Sequence, residues 1–355
     1  MHQRLQKLRE QLQHKELPAL LITHPANRRY VSGFDGSSGV LLVTASQSYL
    51  ITDSRYLEQA RDQAPQFTVV SWEQENLARC LSSLLDENTI NLLGFEEKHL
   101  TFSTYQGLVS GLVIELIPSG GMIEQLRAIK DRQETDLLRR GAAMLDEAFN
   151  YILTFIKPGL TEQQVSLELE YYLRRKGAQG IPFPYIVASG PRGALPHGVA
   201  SDKVLQAGEL VTIDFGAIWE GYATDMTRTI SLGSPDQRQR EVYQVVKEAQ
   251  QRAREGITAG LSCRQADALA RKPIKEAGLG DYFGHGLGHG VGVEVHELPV
   301  LSWRSEELLQ PGMVVTVEPG VYIPGWGGIR IEDMVLLEED GTEKLTDSCR
   351  ELIVV

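Results

Sequence analysis

Cysteine is scarce in this chain of 355 residues. Cys80, Cys263 and Cys349 are an odd number at wide spacings with no CxxC pair, which excludes a disulfide framework and fits a reducing cytoplasm. Long apolar runs are missing as well: none approaches the roughly 18 residues of a membrane span. The opening Met1-His2-Gln3-Arg4 leads into an amphipathic stretch, not an apolar signal core, so neither export nor membrane insertion is expected. Positive charge is in deficit. Lys and Arg total 35 against 47 Asp and Glu, a net charge of −12, which disfavours a protein that must neutralise nucleic-acid phosphates. What remains is ordinary for a soluble globular protein, with 42% hydrophobic and 23% charged residues. The length allows two domains of about 100 to 200 residues each.

Through about residue 117 the pattern alternates. A helix carrying Leu5, Leu8 and Leu12 precedes short β-rich runs at Ala19 to Thr23, Gly39 to Thr44, Ser48 to Thr52, Ile90 to Phe95 and Val113 to Ile117, with helical segments between several of them. Such alternation predicts an α/β domain. Pro118-Ser119-Gly120-Gly121 is the clearest punctuation, so the expected domains are 1–121 and 122–355. Beyond it, Leu137, Leu138, Leu145, Phe149, Ile152 and Ile156 recur at helical spacing until Lys157-Pro158-Gly159. Thr161 with Gln164, and Ser262 with Gln265, are capping boxes that open two further helices. Pro273 is expected to kink or end the second of these. Intervening β-rich stretches with Gly turns make the second domain α+β.

Two of those stretches oppose acids. Glu209 to Asp225 reads as a hairpin turning at Trp219-Glu220, which sets Asp214 across from Asp225. Met313 to Glu318 and Ile329 to Asp333 form a second hairpin about Gly325, which sets Glu318 across from Glu332. Directly opposed like charges destabilise a sheet. One such pair reads equally well as a solvated surface; two independent pairs favour a cation between them, because buried carboxylates need a counter-charge.

The histidines point the same way. Of eight in the chain, His285, His289 and His296 fall within twelve positions. Gly284, Gly286, Gly288, Gly290 and Gly292 alternate with larger residues, so an extended chain puts His285 and His289 on one face and leaves the other bare for close backbone approach. A single histidine is more often structural than a ligand, but clustering beside four acids reverses that weighting. Four carboxylates and an imidazole without thiolate suit Mn, Co, Fe or Zn. Their four negative charges balance two divalent ions, and the chemistry suggested is metal-assisted hydrolysis.

Ile186 to Gly198 with His197, Asp214-Phe-Gly, Asp225-Met-Thr-Arg-Thr, His285-Gly-Leu-Gly-His289-Gly, Glu318-Pro-Gly and Arg330-Ile-Glu332-Asp resemble the proline-specific pita-bread metallopeptidases, prolidase and aminopeptidase P. Asn27 to Gly39 and Thr52 to Tyr56 look like the creatinase-type amino-terminal domain of the same enzymes. The resemblance implies an α/β creatinase-type domain followed by an α+β pita-bread catalytic domain. It implies metal ligands at Asp214, Asp225, His289, Glu318 and Glu332, with Asp225 and Glu332 bridging two divalent ions, manganese first among the candidates. In such enzymes a water or hydroxide held between the metals attacks the scissile carbonyl and the glutamate matching Glu318 shuttles its proton. His197, His285 and His296 match histidines that line the substrate site. Arg330 either binds a peptide carboxylate or forms a structural ion pair. Implied partners are short peptides with proline second, and a second copy of the chain in a homodimer. The dipeptidase reading is preferred to aminopeptidase P; methionine aminopeptidase, creatinase and a non-catalytic peptide-binding module of this fold fit less well, since no ligand position is missing.

Overall fold

The computed structural model describes residues 2–72 and 76–355. The chain divides into two compact units, Met1–Arg127 and Ala128–Val355. In the first, α1 (His2–His14), β1 (Ala19–Ile22), α2 (Pro25–Ser32), β2 (Val40–Thr44), β3 (Ser48–Thr52), α3 (Leu57–Gln63), β4 (Thr68–Ser71), α4 (Leu77–Glu87), β5 (Leu92–Phe95), α5 (Phe102–Gly111), β6 (Glu115–Pro118) and α6 (Met122–Ala128) follow in order. The strands form one six-stranded sheet, β4-β3-β2-β1-β5-β6. β1 and β2, joined through α2, and β2 and β3, joined by a hairpin, run antiparallel, whereas β5 and β6, joined through α5, are parallel. Leu5, Leu8 and Leu12 are buried on one face of α1, as their spacing predicts.

The second unit begins with α7 (Arg132–Phe155) and α8 (Glu162–Arg175), then β7 (Ile186–Ser189), β8 (Leu210–Phe215), β9 (Ile218–Trp219), β10 (Tyr222–Ala223) and β11 (Met226–Ser231). It repeats the plan with α9 (Gln237–Gly256) and α10 (Cys263–Glu276), then β12 (Gly288–Gly290), β13 (Glu297–Leu301), β14 (Val314–Val317), β15 (Gly320–Ile323), β16 (Gly327–Arg330), β17 (Asp333–Glu338) and β18 (Gly341–Lys344). Each half buries a helix pair against strands. Leu145, Phe149 and Ile152 of α7 and Val165 and Leu169 of α8 share a core with Val187, Ile213 and Ile230. Val246, Ala249, Ala266 and Ile274 of α9 and α10 do the same with Val315, Val317 and Val335. Non-directional burial of this apolar area is what holds helices and sheet together.

Both expected capping boxes form. Thr161 and Gln164 exchange side-chain and backbone hydrogen bonds of 2.8 and 3.1 Å, and Ser262 and Gln265 bonds of 2.8 and 3.2 Å. Pro273 does not end its helix, which continues to Glu276. Only the last turn lies beyond the proline, and Ile274 in that turn is fully buried, so core packing offsets the lost backbone bond.

Candidate metal centre

The two acid-bearing hairpins share one construction: each ladder is interrupted, and the acids stand at the break. In the first, β8 and β11 pair, then residues 216–217 and 224–225 leave the ladder, then β9 and β10 resume it. In the second, β14 pairs with β17 and β15 with β16, while 318–319 and 331–332 lie between the ladders. The pairs Val317 with Asp333 and Gly320 with Arg330 bracket Glu318 and Glu332, which therefore face each other as the turn about Gly325 predicts. The first hairpin corrects the expectation. Its turn residues are Glu220 and Gly221, with φ of 45° and 79°, and Asp214 pairs with Thr227, not with Asp225. A two-residue turn with positive φ at both positions matches strand twist and favours glycine second, whereas a bulky Trp219 is ill suited to a left-handed position. Moving the turn by one position shifts the partner by two residues, so Asp225 keeps its face and lies diagonal to Asp214.

His289 reaches the acids from β12. Close approach is as the glycines predict at three positions: a Cβ on Gly286 would lie 2.7 Å from the Leu301 carbonyl oxygen, one on Gly288 2.1 Å from that of Thr316, and one on Gly290 2.0 Å from that of Leu298. Gly284 has no such neighbour. The Gly290 carbonyl, 3.1 Å from His289 Nδ1, can only accept, so Nδ1 carries hydrogen and Nε2 is aimed into the acids. His289 Nε2 lies 3.2 Å from Glu318 Oε1 and 3.8 Å from Asp225 Oδ2. Ligand atoms of Asp225, His289 and Glu332 all fall within 4.8 Å of one another. Asp214 lies near enough for its charge to act on both Asp225 and Glu332.

Charge in this cluster is unevenly held. Burial, then the charges of Glu332, Asp214 and Glu318, push the Asp225 carboxyl well above its ordinary pKa. Burial followed by Glu318 and Asp214 does the same to Glu332. Glu318 goes the other way. Burial opposes its ionisation, but the hydrogen bond and charge of His289, with His285 and Arg330, hold it at about 2. For His289 burial disfavours protonation, and the Glu318 contact outweighs it, so the imidazole pKa is raised.

Arg330 is buried and fully engaged. It donates to Asp214 Oδ2 at 2.5 Å, Thr227 Oγ1 at 3.0 Å, the Tyr322 hydroxyl at 2.7 Å and the Pro196 carbonyl at 3.2 Å. This geometry favours an ion pair that organises the acids over contact with a peptide carboxylate. The Gly286 carbonyl lies 2.8 Å from His285 Nδ1, so Nε2 accepts the Tyr322 O–H at 3.0 Å. His296 is exposed with its ring centroid 4.3 Å from that of His289, and burial of part of the ring, then the charges of His289 and His197, lower its pKa. His197, also exposed, is thus placed near His296. Three supports carry no role in the sequence reading: Tyr322, Thr227, which donates to Glu332 Oε2 at 2.6 Å, and Thr316, which donates to Glu318 Oε1 at 3.0 Å. Two of them sit two residues from a ligand candidate on a strand, so the alternation rule could have found Thr227 and Thr316; nothing local singles out Tyr322.

These residues fit a divalent cation. Among the described residues, the buried Asp214 Oδ1, Asp225 Oδ1 and Glu332 Oε1 have no hydrogen-bond partner, an arrangement that costs stability unless a positive charge completes it. The stability consequence has a definite sign. Asp225 and Glu332 have folded pKa values raised above the unfolded values of about 3.9 and 4.3. They therefore favour folding below those values and lose that contribution as pH rises through the raised ones. A cation replaces their protons, so adding Mn²⁺ to chelator-treated protein should raise the unfolding midpoint more at pH 8 than at pH 5.5. A thousandfold excess over Kd corresponds to about 4 kcal/mol. Equal gains at both pH values in a thermal-shift titration would show that titrating acids are not the ligands.

An acid-lined, histidine-completed cleft on a twofold repeated helix-and-sheet unit defines a metal-dependent hydrolase of the pita-bread fold. Residues 136–339 match the model of Metallopeptidase family M24 and residues 4–129 that of the Creatinase/Prolidase N-terminal domain; the chain belongs to this metallopeptidase family. It is 45% identical over 353 residues to the uncharacterized peptidase YqhT of Bacillus subtilis, covering 99% of this chain and 100% of that one. Among solved structures, Xaa-Pro dipeptidase from Bacillus anthracis superposes with a TM-score of 0.97 at 45% identity, over 100% of this chain and 99% of that one. X-Pro aminopeptidase from Thermotoga maritima does so with 0.90 at 38% identity, over 98% and 100%. Among the described residues no helix is long and apolar enough to cross a membrane.

Proposed function

We propose that this chain is an Xaa-Pro dipeptidase, a prolidase that hydrolyses the bond between an amino-terminal residue and proline. The observation that carries the reading is the convergence of Asp225, His289 and Glu332 with partnerless buried carboxylate oxygens beside them. Asp214 and Glu318 would complete with them a set able to hold two divalent ions; manganese is the first choice, with cobalt, iron or zinc as alternatives. When bound, the ions supply Lewis-acid polarisation of the peptide carbonyl and a water that is nucleophilic at neutral pH. Glu318, which would be held as a carboxylate beside the cations, would take the proton from the attacking water and pass it to the leaving proline nitrogen. Arg330 fixes the orientation of Asp214. His197 and His296 donate to the developing oxyanion, and His285 holds the Tyr322 hydroxyl that accepts from Arg330.

Replacing His296 with Ala is expected to lower kcat by about 10², the order for one positioned donor. A change within twofold would assign the ring to structure. The neutral form lowered by burial is the donor, so activity should not require acid conditions.

A second reading, aminopeptidase P, is favoured by the likeness to the Thermotoga maritima X-Pro aminopeptidase. Chelator-stripped protein, with and without Mn²⁺ or Co²⁺, incubated with an Xaa-Pro dipeptide and an Xaa-Pro-Xaa tripeptide, separates the two. Cleavage of the dipeptide alone selects prolidase, cleavage of the longer peptide selects aminopeptidase P, and no cleavage of either leaves a peptide-binding module. We place the enzyme in the cytoplasm, where Cys80, Cys263 and Cys349 stay reduced, and as a homodimer, which sedimentation analysis tests.

A further inference from the structure

The two loops that bring His197 and His285 to the cleft are held by the same device. Of the helices with capping boxes, α8 and α10 each present a buried acid, and each acid gathers one histidine loop together with an arginine. On α8, Glu162 is fully buried. Its Oε1 accepts from the backbone N–H and hydroxyl of Ser189, both at 2.8 Å, and its Oε2 from those of Ser201, at 3.1 and 2.7 Å. Arg192, inside the loop, pairs with the same carboxylate and donates to the Val199 carbonyl at 3.0 Å. One carboxylate thus closes residues 189–201 into a ring. The far side of the ring rests on β16, where a Cβ on Gly193 would lie 2.8 Å from the Gly328 backbone nitrogen.

On α10, Asp267 is buried and forms a two-pronged pair with Arg271 at 2.6 and 2.8 Å. Arg271 donates onward to the carbonyls of Phe283 and His285, at 2.9 and 2.6 Å, and Asp267 accepts from the Leu287 backbone at 3.1 Å. The guanidinium is stacked between Phe283 and Trp303, at 4.2 and 4.4 Å from their ring centroids. Neither acid faces the metal cluster, and neither belongs to the ligand set.

Glu162 stands in the first turn of α8, where an acid ordinarily does no more than complement the helix dipole on the surface, and Asp267 lies one turn further into α10. Here desolvating the Glu162 carboxylate is offset by five contacts with residues 189–201, and that of Asp267 by two bonds from Arg271 and one from Leu287, with Arg271 donating two more into the loop, an arrangement that removes each loop's freedom. We propose that Glu162 and Asp267 are positioning residues, each acting through its own loop: Glu162 sets the reach of His197, and Asp267, with Arg271, sets that of His285. The inference rests on the reading above that these histidines serve peptide hydrolysis.

Loop specificity is the test. Glu162→Gln and Asp267→Asn are each expected to lower kcat by about 10- to 100-fold, the cost of displacing a catalytic group by an ångström or so, with Mn²⁺ affinity from calorimetry within threefold of the parent. In double-mutant cycles, Glu162→Gln should add little to His197→Ala and multiply with His285→Ala, whereas Asp267→Asn should add little to His285→Ala and multiply with His197→Ala. Multiplicative effects in all four pairings, or losses that follow the unfolding midpoint alone, would overturn the proposal. A parent-like His197→Ala and His285→Ala would instead overturn the roles assigned to the histidines. If Glu162→Gln does not fold, Ser201→Ala removes one hydroxyl donor and enters the same cycle. Its expected loss is about fivefold, one ordinary hydrogen bond, absent in the His197→Ala background; persistence there counts against the proposal.

Discussion

Asp225→Asn is expected to abolish turnover while leaving the metal-free protein as stable as the parent, or more so. Asp225 is taken up against burial and three neighbouring acids, so a neutral isostere relieves an unfavourable buried ionisation instead of removing a stabilising one. The same change deletes a carboxylate proposed to bind the cations. Its effect should exceed the roughly 10- to 100-fold that follows from disturbing a ligand's outer partner. Mn²⁺ should also lose most of its effect on the unfolding midpoint. Near-normal turnover at saturating metal refutes the assignment, and a large drop in metal-free stability would mean that Asp225 is structural.

Glu318→Gln separates proton transfer from cation binding. Three acids and His289 remain, so a stabilising response to Mn²⁺ should persist in weakened form. Turnover should fall by about 10² to 10⁴, the range for a positioned general base. Loss of Glu318 also removes the contact that raises the His289 pKa, so the histidine should give up its proton more easily and metal binding should extend to lower pH. An unchanged kcat would remove the proton-shuttle role; an unchanged pH dependence of metal binding would show that Glu318 does not govern His289.

Much of this was legible in the chain because hairpins and glycine patterns are local. The glycine-rich turn about Gly325 fixes the facing of Glu318 and Glu332, and the alternating glycines announce where β12 must lie against its neighbours. The first hairpin was misread by one turn position because tryptophan and glutamate were set at the tip, where left-handed backbone calls for Glu220 and Gly221. Even so, the shift preserved the face, so the acids were correctly grouped. Tyr322, Glu162 and Asp267 were not legible. Apart from Arg271, four positions from Asp267, the partners named here lie 8 to 39 positions away in sequence, and an acid near a helix's start looks the same whether it faces water or clamps a loop. Arg228 is similar: it is buried, pairs with Asp333 at 2.7 Å and holds the Glu332 carbonyl, yet in sequence it is one arginine among many.

The interrupted ladders also constrain when the centre can come into being. Its ligands are split between hairpins that belong to different half-cores, and the last of them, Glu332, is 107 positions beyond Asp225. On the ribosome, where amino-terminal portions fold first, the earlier hairpin is made before residue 332 has emerged. If these residues hold metal as proposed, a chain stalled before residue 332 would carry only half of the ligand set.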